Sequence, residues 1–194
     1  SSQNRGPMER PDALNSAADG ERDIGVFFMW APEPVRARFK SLVRDGLKGS
    51  GDYGMLTLGA YSGQGLNRSD RNGTPHYLAR LTYPFLLPGG QVFEAGIHAY
   101  AGDFVTTTAA LPGVGTPASQ SGGSTDRRVG VTAVWYPQPF GIEAEWNVGE
   151  GPELSGDFTR IETGSLQGGY VQLNYRAAGT AIGELFPFLR WQYY

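Results

Sequence analysis

The chain has 194 residues, a formal net charge of -3, a pI near 5.4 and a mean hydropathy of -0.33. No stretch approaches the roughly 20 consecutive apolar residues of a membrane-spanning helix, which excludes a helical membrane protein. The basic residues form no continuous run, so nucleic acid is not expected as a partner, and the lack of cysteine excludes disulfides and thiol nucleophiles.

Residues 1–22 are polar, rich in Pro, Gly and Ser, and without a period, so they are predicted to be a loop or arm. Residues 23–194 are predicted to be one all-β unit, because 29 glycines, 13 prolines and a 12% aromatic content are typical of many strands and turns. Eight predicted strands, rich in β-branched or aromatic residues, lie at 23–31, 52–61, 76–85, 91–101, 127–136, 140–149, 169–177 and 185–194. Their lengths match the roughly 9–11 residues with which a tilted strand crosses a bilayer.

The link 32–51 differs from the other links because its apolar residues have helical spacing, at Val35, Phe39, Leu42, Val43 and Leu47. This spacing predicts a short amphipathic helix packed on the rim of a barrel. A solvated loop is the alternative interpretation of the same residues.

Apolar and polar residues alternate within the predicted strands, as they do where a strand sends successive side chains to opposite faces. In 140–149 one face carries Phe140, Ile142, Ala144, Trp146 and Val148. The other face carries Gly141, Glu143, Glu145 and Asn147. A soluble β-sandwich alternates in the same way, so the period alone does not decide which face meets water.

The links alternate in length along the chain. Short links at 86–90, 137–139 and 178–184 take turns with long ones at 62–75, 102–126 and 150–168. This order predicts an antiparallel up-and-down meander, and transmembrane barrels join their strands in the same way.

Aromatic residues gather near the strand ends, as in the girdles of such barrels, although sandwich cores also use aromatics. The loop 102–126 has two interpretations, an inward constriction or an outward open loop.

Four stretches resemble a known family: DIGVFFMWAP at 23–32, GSGDYGMLTLGAYSGQGLNR at 49–68, GGYVQLNYR at 168–176 and FPFLRWQYY at 186–194. The chain from residue 23 onward resembles the phosphate-selective (O and P type) porin family. The resemblance implies a 16-stranded, usually trimeric barrel in the bacterial outer membrane, in contact with the lipid bilayer and lipopolysaccharide, so the eight strands are interpreted as a portion of it. It also implies passive diffusion of small hydrophilic solutes, or of anions such as phosphate. A closed barrel of eight strands, with an interior filled by side chains, is the alternative.

If the apolar faces contact lipid, the polar faces line a pore. The candidate pore-lining and anion-binding residues are then Arg80, Arg128, Arg176, Arg190, His98, Glu94, Glu143 and Glu145. Arginine forks can replace the water that phosphate or carboxylate loses in a pore, so the four arginines favour anions. The three glutamates oppose this preference. The alternative is a ladder of ion pairs that stiffens the wall and binds nothing.

Two other function classes were weighed. A soluble β-sandwich or lectin-like module would bind ligand through the loops 102–126 and 150–168. A barrel enzyme would need His76 or His98 beside a partner such as Ser62 or Asp103, and the spacing predicts no such contact. The sequence therefore predicts no catalytic residue, no cofactor and no metal site.

Overall fold

The computed structural model of the chain describes residues 24–49, 54–63 and 70–194. The predicted arm 1–22 lies outside the described residues. The elements are β1 (Gly25–Trp30), α1 (Glu33–Arg44), β2 (Leu56–Tyr61), β3 (His76–Leu86), β4 (Val92–Phe104), β5 (Ser124–Trp135), β6 (Phe140–Leu154), β7 (Ile161–Tyr175), β8 (Ala177–Thr180), β9 (Gly183–Leu185) and β10 (Phe188–Tyr193).

The described residues form one eight-stranded antiparallel sheet in the order β1-β2-β3-β4-β5-β6-β7-β10, and β8 pairs only with β9. Every strand of the large sheet therefore pairs with its neighbours along the chain, which is the predicted meander. β1 and β10 do not pair with each other, so this sheet is not closed. The links 87–91 and 136–139 join strands at one end of the sheet, which we call the short-link end. The links 62–75 and 105–123 join strands at the opposite end, which we call the long-loop end.

The predicted strands are present, but several bounds differ. β6 and β7 have 15 residues each and continue as a hairpin from Glu150↔Ser165 to Leu154↔Ile161. The link between them is therefore 155–160 and not 150–168. The extension was missed because it lacks a strict apolar alternation, whereas a hairpin that is already paired continues its backbone ladder whatever its side chains are. The predicted link 178–184 is likewise wrong, because it contains most of the β8–β9 hairpin.

The two faces of the large sheet differ in burial as well as in polarity. On the apolar face, Phe140 is 70% exposed and Leu189 is 71% exposed. On the polar face, Thr82 and Gln172 are each 1% exposed and Glu94 is 3% exposed. The soluble-sandwich alternative gains no support, because in the described residues no second sheet covers the apolar face.

Helix α1 forms where the helical spacing predicts it. Glu33 lies in its first turn and Arg44 in its last, each favourable toward the helix dipole. The chain leaves the helix at Gly46, whose φ of 72° is a conformation that glycine adopts without strain. The prediction of a helix in 32–51 is thus confirmed.

The position of α1 is more specific than the predicted packing on a rim. Its buried residues form a cluster on the polar face of the sheet at the short-link end. The cluster consists of Val35, Phe39 and Leu42 from α1 with Ala31, Val92 and Tyr136, and Leu47, Met55 and Val134 pack against it. Burying three such side chains contributes about 1.5–3 kcal/mol each, so the apolar side of α1 is firmly docked.

The ring of His76 is 3% exposed at the long-loop end of the polar face, packed against Gly63 and Gly102. A Cβ added at Gly102 would overlap this ring. We expect Gly102→Ala to lower the free energy of unfolding by about 1–3 kcal/mol through overpacking, measured by urea titration in detergent. Gly156→Ala is the control, because nothing lies within 4 Å of its added Cβ. Equal stability of the two variants would contradict the packing role of Gly102.

Candidate pore wall

The polar face brings together seven of the eight candidate residues. They are Arg80 on β3, Glu94 and His98 on β4, Arg128 on β5, Glu143 and Glu145 on β6, and Arg190 on β10. Arg176 lies apart from them, as the single residue between β7 and β8. Its Nε donates to Glu184 Oε1 at 2.5 Å, and its guanidinium lies 5.8 Å from the centre of the Phe186 ring.

Glu94 is the centre of the densest polar group on this face, which we call the Glu94 cluster: Glu94, Lys48, Arg80, Thr82 and Tyr136. Glu94 Oε2 accepts from Lys48 Nζ at 2.7 Å and from the Tyr136 hydroxyl at 2.6 Å. Glu94 Oε1 accepts from the Thr82 hydroxyl at 2.8 Å and lies 3.3 Å from Arg80 Nη2. The carboxylate therefore exchanges its water for four donors, two of them cationic. Sequence reasoning named Glu94 and Arg80 but missed Lys48 and Tyr136.

A second ion pair lies toward the long-loop end. Arg128 Nε donates to Asp126 Oδ1 at 3.0 Å and Arg128 Nη2 donates to Asp126 Oδ2 at 3.2 Å, a bidentate geometry. The Tyr100 hydroxyl donates to the same carboxylate at 3.1 Å, and the guanidinium lies 5.4 Å from the centre of the Tyr100 ring. Arg128 is thus neutralised by Asp126, a residue that falls in the predicted loop 102–126 and in fact belongs to β5.

The remaining charges of the wall are held by neutral groups. Arg190 donates to Gln172 Oε1 through Nε at 2.9 Å and Nη2 at 2.6 Å. Glu143 accepts from the Tyr170 hydroxyl at 2.9 Å, and Glu145 accepts from Asn147 Nδ2 at 2.7 Å. The ion-pair ladder therefore describes Arg80 and Arg128, whereas Arg190, Glu143 and Glu145 form no ion pair with the described residues.

The two histidines have surroundings unlike those of a catalytic base. His98 Nε2 lies 2.8 Å from Asn147 Oδ1, an amide that does not move a proton. His76 is packed against two glycines, with Tyr61 at 5.4 Å and Tyr100 at 6.4 Å between ring centres. Asp103, the partner considered for His98, accepts instead from the Thr125 hydroxyl at 3.4 Å.

Two rows of aligned residues border the apolar face, one at each end of the strands. At the short-link end, neighbouring strands align Phe85, Phe93, Trp135, Ile142, Leu173 and Leu189. Eight residues further along each strand, Ala101, Arg127 and Glu150 align, and Arg127 Nε lies 2.6 Å from Glu150 Oε1. Eight residues span about 27 Å of strand, or roughly 20 Å at a barrel strand's usual tilt, close to the ~25 Å apolar band of a membrane barrel.

Within the described ranges, no helix is both long and apolar enough to span a bilayer. One face of the antiparallel meander has an exposed apolar band, bordered at the short-link end by aromatic and aliphatic side chains. The other face has buried, charged side chains. This is the layout of a channel wall of the outer-membrane type.

The model of the phosphate-selective porin O and P family matches residues 1–183, and the chain belongs to this family. The family consists of channels and is not an enzyme family. The match includes residues 1–22, which the sequence resemblance did not cover, and it ends before the stretch 186–194, which that resemblance included. No curated protein and no solved structure matches the chain.

Proposed function

We propose that the protein is a passive channel of the bacterial outer membrane for small hydrophilic solutes, including anions such as phosphate. One observation carries this proposal: charged and polar side chains crowd one face of a sheet whose other face exposes a bounded apolar band. Hydrocarbon accommodates the band and water accommodates the polar face, whereas the reverse placement would put arginines in lipid, at a cost of about 2–4 kcal/mol for each one near the bilayer midplane.

Closure of the barrel belongs to the same proposal. Both β1 and β10 have one edge without a partner strand in the described sheet. In hydrocarbon every backbone N–H and C=O needs a hydrogen bond, so these edges must be paired, either with further strands or with each other. Further strands would complete the 16-stranded barrel that we propose, and we propose in addition that three such barrels form a trimer in contact with lipopolysaccharide. The short-link end then faces the periplasm and the long-loop end faces outside, as in other barrels of this kind.

The contribution of each candidate arginine to anion attraction depends on whether a carboxylate neutralises it. Among the candidate arginines, Arg80 pairs with Glu94, Arg128 with Asp126 and Arg176 with Glu184. Arg190 alone of the four is held by an amide, Gln172. Arg190 is therefore our principal anion-attracting residue of the wall, in place of the four equivalent arginines that the sequence suggested.

We expect Arg190→Gln to lower the ratio of anion to cation permeability about twofold, because the substitution removes one unpaired positive charge from a narrow aqueous passage. The measurement is the reversal potential across a planar bilayer under a tenfold gradient of KCl. Arg176→Gln is the matched control, since it makes the same change of charge at a position between β7 and β8, apart from the polar face of the large sheet. An equal shift in both variants, or none in either, would remove Arg190 from the permeation pathway.

The channel proposal itself is tested by extraction and conductance. The full-length protein should need detergent to stay folded, should migrate differently on a gel before and after heating, and should produce stepwise conductance in planar bilayers. A protein that stays folded and monomeric in buffer without detergent, and that forms no conducting steps, would refute the proposal and favour a soluble binding module.

A further inference from the structure

The link between β1 and β2 is unusual for the short-link end. The links 87–91 and 136–139 are tight, yet the chain from Trp30 to Leu56 includes the 12-residue helix α1. A helix with its side chains is about 10–12 Å wide, so its position decides whether the mouth of a channel is open or narrow.

Helix α1 lies on the inner, polar face of the sheet and not beneath its edge. Its residues Val35, Phe39 and Leu42 pack against Val92, Val134 and Tyr136 at the short-link end of β4 and β5. Val92 and Val134 share the polar face with Glu94, because they lie two residues along β4 and directly opposite on β5. The other side of α1, with Ala37 and Lys40, is exposed and points away from the wall.

Lys48, just after the helix, ties this segment to the wall. Its ammonium donates to Glu94 Oε2 at 2.7 Å and to the Tyr136 hydroxyl at 3.0 Å. The same ammonium lies 5.1 Å from the centre of the Phe39 ring and 5.7 Å from that of Tyr136, both cation–π distances. One side chain thus joins the end of the helical segment, a buried helix residue and two wall residues.

A second contact fixes the middle of the helix. Arg38 Nη1 donates to the backbone carbonyl of Pro84 on β3 at 2.5 Å. Together with the apolar cluster, the contacts of Arg38 and Lys48 attach α1 to β3, β4 and the residue that follows β5. The helix is therefore held across several strands and cannot swing out as a free loop while these contacts persist.

From these contacts we infer that α1 is a constriction of the channel at the short-link end, and that Lys48 is the positioning residue that keeps it there. This inference rests on the proposed channel function. The upper size limit for solutes is then set by α1, which lies inside the mouth, together with the strands of the wall. The chemistry of the solute stays that of small hydrophilic molecules and anions; α1 determines which of them are small enough.

Lys48→Met tests the role of Lys48, because methionine keeps an unbranched apolar stem and removes the ammonium. We expect the unit conductance to rise about twofold and larger sugars to enter in liposome-swelling assays, since a released helix frees cross-section in the mouth. Lys40→Met is the matched control, the same change on the exposed side of α1, and should leave the entry of neutral sugars unchanged, because it removes a charge from the mouth but no contact that holds the helix. If the two variants admit the same sugars, Lys48 does not hold the constriction.

A chemical probe tests the place of α1 independently of folding effects at Lys48. The sequence has no cysteine, so Ala37→Cys introduces a single thiol on the exposed side of α1. A bulky thiol reagent should then reduce the current by about half, whereas Pro88→Cys, exposed in a link at the same end, should give no block. Unchanged current in modified Ala37→Cys would overturn the inference while leaving the channel function intact. Absence of conductance in the unmodified protein would instead refute the proposed function.

Discussion

Val131→Arg should lower the free energy of unfolding in detergent or lipid by about 2–4 kcal/mol, because it places a guanidinium in the middle of the apolar band. Val131 lies on the apolar face of β5, 54% exposed, midway between Trp135 in the aromatic row and Arg127 at the opposite border. An arginine there has no water and no carboxylate to reach without distorting the sheet or the bilayer. Urea titration of the protein folded in lipid vesicles measures the loss.

The neighbouring residue supplies the control. Thr132 lies on the polar face directly opposite Glu145, whose carboxylate has no cation within ion-pair distance in the described part of the chain. Thr132→Arg should therefore cost less than about 1 kcal/mol, since the new charge meets both water and a carboxylate. It should also shift the reversal potential toward anions. The opposite order, with Thr132→Arg destabilising and Val131→Arg tolerated, would mean that the apolar face is the wet one.

The second large effect is expected at Glu94. Glu94→Leu should lower the free energy of unfolding by about 3–5 kcal/mol, because it leaves Lys48 and Arg80 as partly buried cations beside two hydroxyl groups without their acceptor. The Glu94 side chain is only 4% exposed, whereas those of Lys48 and Arg80 are 20% and 29% exposed, so the lower end of this range is the better expectation. Denaturant titration, monitored by tryptophan fluorescence, measures this loss of stability.

Two further variants separate the lost charge pair from a general loss of packing. Glu150→Gln breaks the surface pair with Arg127 and should cost less than about 1 kcal/mol. Adding Lys48→Met to Glu94→Leu should restore part of the stability, because replacing both members of a buried pair by apolar groups removes the uncompensated charge. A double variant as unstable as the sum of its single changes would show that Glu94 and Lys48 act independently.

The parts of the fold that the sequence predicts are those governed by local periodicity. Trp146 and Glu145 fall on opposite faces because a strand alternates, and Phe39 and Leu42 fall on one side of α1 because a helix repeats every 3.6 residues. Such patterns need only neighbouring residues to be read. These patterns predict α1 and the strands, and they also predict the face on which most candidate residues lie.

The parts that the sequence does not predict depend on contacts between distant residues. Lys48 and Tyr136 lie 46 and 42 residues from Glu94, and no local pattern links them. Asp126 was assigned to a loop because the strand was predicted to begin at 127, and the pairing of Asp126 with Gly102 extends it. The alternation continued to residue 177 predicts Arg176 on the wall, whereas β7 ends at Tyr175 and Arg176 pairs with Glu184 of β9. Register, strand length and charge pairing are thus tertiary properties.

The two-residue period of β3, β4 and β5, and of the segments 140–149 and 169–175, also constrains how the gene can change. A single codon inserted inside a strand would exchange inside and outside for every residue up to the next turn, putting glutamates into hydrocarbon and aromatic rings into the water-filled passage. Insertions and deletions among related chains should therefore accumulate in connecting segments such as 105–123. Substitutions at every second position of a strand should change permeation without changing the apolar face.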